Sequence, residues 1–117
     1  MKIRVINAEL LIALFMFKYD RPYATIGEII KFAYKLQTAL NKVSNNYSVK
    51  VNCLMLGRIG IHSNFFVCKS NVICCKKAVD KNAIFDDIIF NSNANDLMTL
   101  FKVLDLNDCF KNNIEKE

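Results

Sequence analysis

The stretch from Thr25 to Val43, TIGEIIKFAYKLQTALNKV, constrains the fold more than any other part of the chain. Ile26, Ile29, Ile30, Ala33, Leu36, Ala39, Leu40 and Val43 recur at steps of three and four. That spacing lines one face of an α-helix. Lys31, Lys35, Gln37, Thr38, Asn41 and Lys42 fall largely on the other side. Thr25 followed by Glu28 is a capping box, in which hydroxyl and carboxylate each satisfy a backbone N–H of the first turn. Ser44-Asn45-Asn46 ends the helix. Its buried side is expected to include Ile29, Ala33, Leu36 and Leu40.

A helix this amphipathic needs something apolar to cover it, and the preceding segment supplies it. Leu10 to Phe17, LLIALFMF, is an uninterrupted apolar run. It falls far short of the roughly 20 residues that span a bilayer. The basic start at Lys2 and Arg4 followed by an apolar run has the outline of a secretory signal. However, Asn7 and Glu9 break the apolar region between the basic start and this run, Lys18-Tyr19-Asp20 follows it, and no small-x-small cleavage site appears. The expectation is therefore a helix from Asn7 to Tyr19, capped by Asn7 and buried on all sides. No membrane partner is expected, and the chain reads as intracellular, either cytoplasmic or nuclear. Pro22 disfavours helix at Arg21, so Asp20 to Tyr23 reads as the connector of an antiparallel helical hairpin.

Beyond residue 46 the period changes. Tyr47, Val49, Val51 and Cys53 alternate with Ser48, Lys50 and Asn52, as in a half-buried strand running 47–56. Residues 57–64 read as a loop, Phe65–Lys69 and Val72–Lys76 as short strands, and Ser70-Asn71 as a two-residue hairpin turn. The predicted class is α+β: an N-terminal helical hairpin, a small three-stranded antiparallel sheet made as a meander of 47–76, and C-terminal helices. Residues 81–90 are read as helix because Asp86-Asp87 breaks the alternation a strand needs. A last helix, 96–106 with Asn95 as cap, follows from Leu97, Leu100, Phe101 and Leu104. Residues 1–110 are expected to form one domain, with 111–117 a frayed tail.

With 117 residues and 53% hydrophobic content, the chain holds enough apolar surface for a core without staples. The five cysteines, at 53, 68, 74, 75 and 109, are odd in number and match no disulfide framework, so free thiols in a reducing compartment are expected. His62 is the only histidine. No C-x2-C pair accompanies it, and the intervals from Cys53 to His62, Cys68 and Cys74 fit no structural zinc spacing. Gly57-Arg58-Ile59-Gly60 lacks the Lys-Ser/Thr of a P-loop. No metal, cofactor or catalytic residue is predicted, and the chain is read as non-enzymatic.

Charge supplies the functional expectation. Residues 1–77 carry 12 Lys/Arg against 3 Asp/Glu, and residues 78–117 carry 4 against 8, for the overall +5. A basic body with an acidic end suits a polyanionic partner. Two nucleic-acid-binding layouts accommodate the element order. In a winged-helix layout the helices 7–19 and 24–43 precede a wing built from 47–76, although no turn interrupts 33–35. In a double-stranded-RNA-binding layout a basic pair opens the helix after the sheet. The expected contacts to the phosphate backbone of DNA or RNA are Arg58, His62, Lys69, Lys76 and Lys77, because a meander of 47–76 would return Lys76 and Lys77 beside the 57–63 loop. The competing expectation is a protein–protein module or homodimer that uses an exposed apolar patch left over from nine Phe, four Tyr and four Met.

Overall fold

The structure is a computed structural model that describes residues 3–76 and 81–106. Lys77, Cys109 and the tail 111–117 lie outside the described residues. The described elements, in order, are β1 (Arg4–Ile6), α1 (Ala8–Tyr19), β2 (Tyr23–Thr25), α2 (Ile26–Asn41), β3 (Tyr47–Val49), α3 (Cys53–Gly57), α4 (Ile59–His62), β4 (Phe66–Lys69), β5 (Val72–Cys75), α5 (Lys81–Phe90) and α6 (Ala94–Leu104). The mixed α+β class is as expected, with a three-stranded antiparallel sheet and a separate parallel pair.

Helix α1 is the centre of the core. Leu10 to Met16 are all buried, so the helix has no solvent face along that run. Asn7 caps it by accepting from the Leu10 amide at 2.9 Å. Helix α5 packs along it, with Phe17 and Phe85 stacked at 4.1 Å. Helix α2 covers another side through Ile29, Phe32, Ala33, Leu36 and Leu40. Its capping box is formed in full: Thr25 Oγ1 accepts from the Glu28 amide and Glu28 Oε1 accepts from the Thr25 amide, both at 3.1 Å. The helix is continuous through 33–35. It ends two residues short of Val43, which is 60% exposed because the helical phase is lost before it.

The sheet departs from the expected meander. Its order is β2-β5-β4, with Tyr23↔Cys74 and Phe66↔Cys75 among the paired residues. The first strand thus comes from the connector 23–25 rather than from 47–56. Ser70 and Asn71 form the predicted tight turn, and both have positive φ, 52° and 66°, the geometry that matches the twist of a hairpin.

The segment 47–56 divides instead. Only Tyr47–Val49 is strand, and it runs parallel to β1. Gln37 of α2 completes its pairing: its Oε1 accepts from the Val49 amide at 2.7 Å and its Nε2 donates to the Tyr47 carbonyl at 3.0 Å. The expected strand 50–56 and loop 57–64 are overturned by two short helices. Asn52 starts α3 by accepting from the Met55 amide at 2.8 Å. Leu56, Ile59 and Ser63 are buried, at the three- and four-residue spacing of a helical face.

Residues 81–90 are helical, as expected. Helix α6 starts two residues earlier than predicted, because Asn93 rather than Asn95 accepts from the Asn95 and Asp96 amides. Two contacts fasten this part to the front of the chain. Arg4 pairs with Asp96 at 2.6 Å, and Lys18 Nζ donates to the Leu104 carbonyl at 2.7 Å.

Candidate nucleic-acid interface

The helical segment 53–62 follows from local sequence signals: an Asn cap at its start and a buried stripe on its inner side. Its outer side is therefore fixed. Cys53, Leu54, Met55, Arg58, Ile61 and His62 are exposed. Arg58 stands at the junction of α3 and α4, where its amide reaches the Leu54 carbonyl at 3.2 Å.

Two hollows meet at Arg58. One, of about 540 Å³, lies against the start of α1, where Asn7, Glu9, Asn52 and His62 share its rim with Arg58. The other, of about 630 Å³, lies between the start of α2, α3 and the β4–β5 turn, lined among others by Gly27, Cys53, Gly57, Ser70 and Asn71. Among the described residues no Asp or Glu lines this second hollow. Gly27 and Gly57 face open space there, since a Cβ added at either would meet nothing within 4 Å.

The sequence-predicted contacts do not all share one place. Arg58 and His62 sit on one hollow, and Lys69 is exposed beside the Ser70-Asn71 turn that borders the other. Lys76 comes back beside residues 57–63, as expected. However, its ammonium donates to the Gly60 carbonyl at 2.8 Å and the Ser63 carbonyl at 2.5 Å. Two of its three donors thus cap the end of α4, and its first role is to tie that helix to β5. Glu9 holds the same corner from the other side by accepting from Ser63 Oγ at 2.8 Å, while Ser63 Oγ accepts from the Phe65 and Phe66 amides.

No family model, curated protein or solved structure matches this chain.

The arginines separate by partner. Arg4 is paired with Asp96, and Arg21 with Glu28 at 2.5 Å. Among the described residues Arg58 has no carboxylate partner. The Thr25 backbone N–H and then Arg21 hold the Glu28 carboxyl below its ordinary range. Among the described residues no group of three or more His, Cys, Asp or Glu is arranged to hold a metal, and no helix is long and apolar enough to cross a membrane. Sequence reading missed the exposed apolar residues of 53–62, because it placed Leu54 and Met55 on a strand. The signal that finds them is the 56–59–63 spacing.

Proposed function

We propose that the chain is a non-enzymatic, intracellular nucleic-acid-binding protein that contacts the phosphate backbone through the face built by α3, α4 and the β4–β5 turn. The observation that carries this reading is Arg58: exposed, without an acidic partner among the described residues, and placed where two hollows meet. Lys69 and His62 extend the face on its two sides. A guanidinium presents donors in a fork that matches phosphate oxygens, and contacts of this kind bind without reading bases.

The element order adds support by analogy of fold. With the β1–β3 pair set aside, the order α1, β2, α2, α3–α4 and the β4–β5 hairpin, with the sheet order β2-β5-β4, accommodates a winged-helix layout in which α3–α4 takes the recognition position and β4–β5 the wing. On this reading the third helix of such a layout lies in 53–62, whereas the sequence expectation sought the second and third helices within 24–43. The analogy alone does not carry function.

The test is a salt titration of binding by the full chain to duplex DNA, single-stranded DNA and duplex RNA of equal length. On duplex DNA each neutralised phosphate contributes a slope of about −0.9 in log K against log salt. Arg58→Gln with Lys69→Gln is expected to flatten the slope by roughly 2 units while leaving the circular dichroism unchanged. Lys76 is left intact because it holds α4. Absence of salt-dependent binding in the parent, or an unchanged slope in the variant, ends this reading.

A second reading has its own observation. Leu54 and Ile61 on the same segment are 64% and 75% exposed. Side chains of that size beside Arg58 suit a protein partner or a second copy of the chain. Concentration-dependent mass that Leu54→Asp abolishes would favour it over nucleic acid.

A further inference from the structure

Helix α2 has a second open side. At about 100° per residue, Glu28, Lys31, Phe32 and Lys35 share one stripe, nearly opposite the stripe of Ile26, Gly27 and Ile30 that borders the Arg58 groove. On α1, Phe15 and Tyr19 lie one turn apart and face this second stripe. Together with Arg21 these residues enclose a hollow of about 380 Å³, within the size range of small-ligand sites.

Its wall is aromatic and its rim is cationic. Phe15, Tyr19 and Phe32 form a triad, with centroids 4.8 Å apart for Phe15–Tyr19, 5.3 Å for Phe15–Phe32 and 6.2 Å for Tyr19–Phe32. The two phenylalanines are buried, but Tyr19 remains 47% exposed and lines the hollow, with Lys18 Nζ 5.9 Å from its ring centroid. Arg21 closes one end, its guanidinium 5.1 Å from the Phe15 ring. Among the described residues the only acid on the lining is Glu28, and both of its oxygens are engaged, one by Thr25 and one by Arg21. Arg21 and Glu28 thus offset each other. Lys31 and Lys35 remain exposed one helical turn apart, and no acidic partner reaches either among the described residues.

An exposed ring offers a face for stacking a planar group. Two ammonium groups at i and i+4 offer a seat for a compact anion. We propose that this cleft binds a nucleotide, with its base against Tyr19 and its phosphate between Lys31 and Lys35. Base–aromatic stacking tolerates any base, because every base has a π-face, so the cleft is expected to favour the base–phosphate combination over a particular base. The two sources of that chemistry are a free mononucleotide and a nucleotide within a single strand.

The proposal does not rest on the Arg58 groove. The test follows amide shifts of the full chain by NMR during titration with AMP, with a short oligo-deoxyadenylate, and with inorganic phosphate. Saturable shifts are expected around Tyr19, Lys31 and Lys35 with AMP, and much weaker ones with phosphate. A free-nucleotide site gives comparable per-site affinity for AMP and the oligomer, whereas a strand site gives at least tenfold tighter oligomer binding. Lys31→Gln with Lys35→Gln, and separately Tyr19→Leu, which keeps an apolar side chain but removes the π-face, are each expected to weaken the preferred ligand tenfold or more. Arg58→Gln with Lys69→Gln, which removes the backbone contacts of the other face, is expected to leave the AMP shifts and AMP affinity unchanged, whatever it does to the oligomer. No saturable shift with AMP or the oligomer, equal binding of phosphate and AMP, or full affinity in the Lys31/Lys35 variant overturns the proposal. Loss of AMP binding in the groove variant overturns it too, by making the cleft part of the other surface.

Discussion

Leu36 is 1% exposed on the inner side of α2. Leu36→Ala is expected to cost about 2–5 kcal/mol, the range for deleting a buried Leu side chain when the site relaxes only in part. Urea unfolding checks it, and an unchanged midpoint would contradict the burial. Glu28 gives a pH-dependent counterpart. Its carboxyl is held low by the Thr25 N–H and then by Arg21. A depressed folded value means that the group stabilises the fold above its unfolded pKa, about 4.3, and loses that contribution as pH falls through the folded value. Glu28→Gln is therefore expected to lower the urea midpoint at pH 7 and to converge on the parent below about pH 3. Equal differences at both pH values would exclude the linkage. The Thr25–Glu28 pair was legible because a capping box is local, whereas the roles of Gln37 and Lys76 were not. Gln37 stands on the polar side of α2, and only the return of β3 turns its amide into a strand partner. Lys76 reads as one of a basic pair until the carbonyls of Gly60 and Ser63 arrive at its ammonium.

Among the elements, the helices with strong periodicity were readable and the shortest strands were not. Strands β1, β2 and β3 have three residues each. Three residues carry no measurable alternation, and their partners are remote in sequence. The segment 47–56 misled for a physical reason: true alternation over Tyr47 to Asn52 runs straight into the Asn52 cap and a helix too short to display its period. The β4–β5 hairpin was legible from its turn, which also yields a prediction. Ser70 and Asn71 both hold positive φ, and such a turn prefers Asn-Gly. Replacing the pair by Ser70→Asn and Asn71→Gly is expected to raise thermal stability, by about 0.5–1 kcal/mol at most. The Asn71 carbonyl that accepts from the Ile26 amide is kept. A lower melting temperature would show that the side chains, not the backbone, hold the turn.

At the scale of the molecule, the charge split between the two parts of the chain is partly closed by the fold itself, since Arg4 pairs with Asp96, while the Lys18 ammonium donates to the Leu104 carbonyl at the end of α6. The uneven balance visible in the sequence therefore overstates the field a partner would feel, and the placement of unpaired cations matters more than their number. The candidate site was legible only as residue types. Arg58, His62 and Lys69 were named in advance, but the helices that carry the first two replace the loop expected there, and the aromatic cleft depends on two helix stripes meeting. The parallel pairing of β1 with β3, Arg4↔Tyr47 to Ile6↔Val49, has a consequence for biogenesis. Strand β1 leaves the ribosome before its partner has been made. At translation speeds of about 5–20 residues per second, it waits roughly 2–9 seconds with its edge unpaired. Strand β2 waits longer still for β5. During that interval helices α1 and α2 have only local contacts to close, and the exposed Ile3 and Val5 are apolar side chains beside an unpaired edge that a nascent-chain chaperone would recognise.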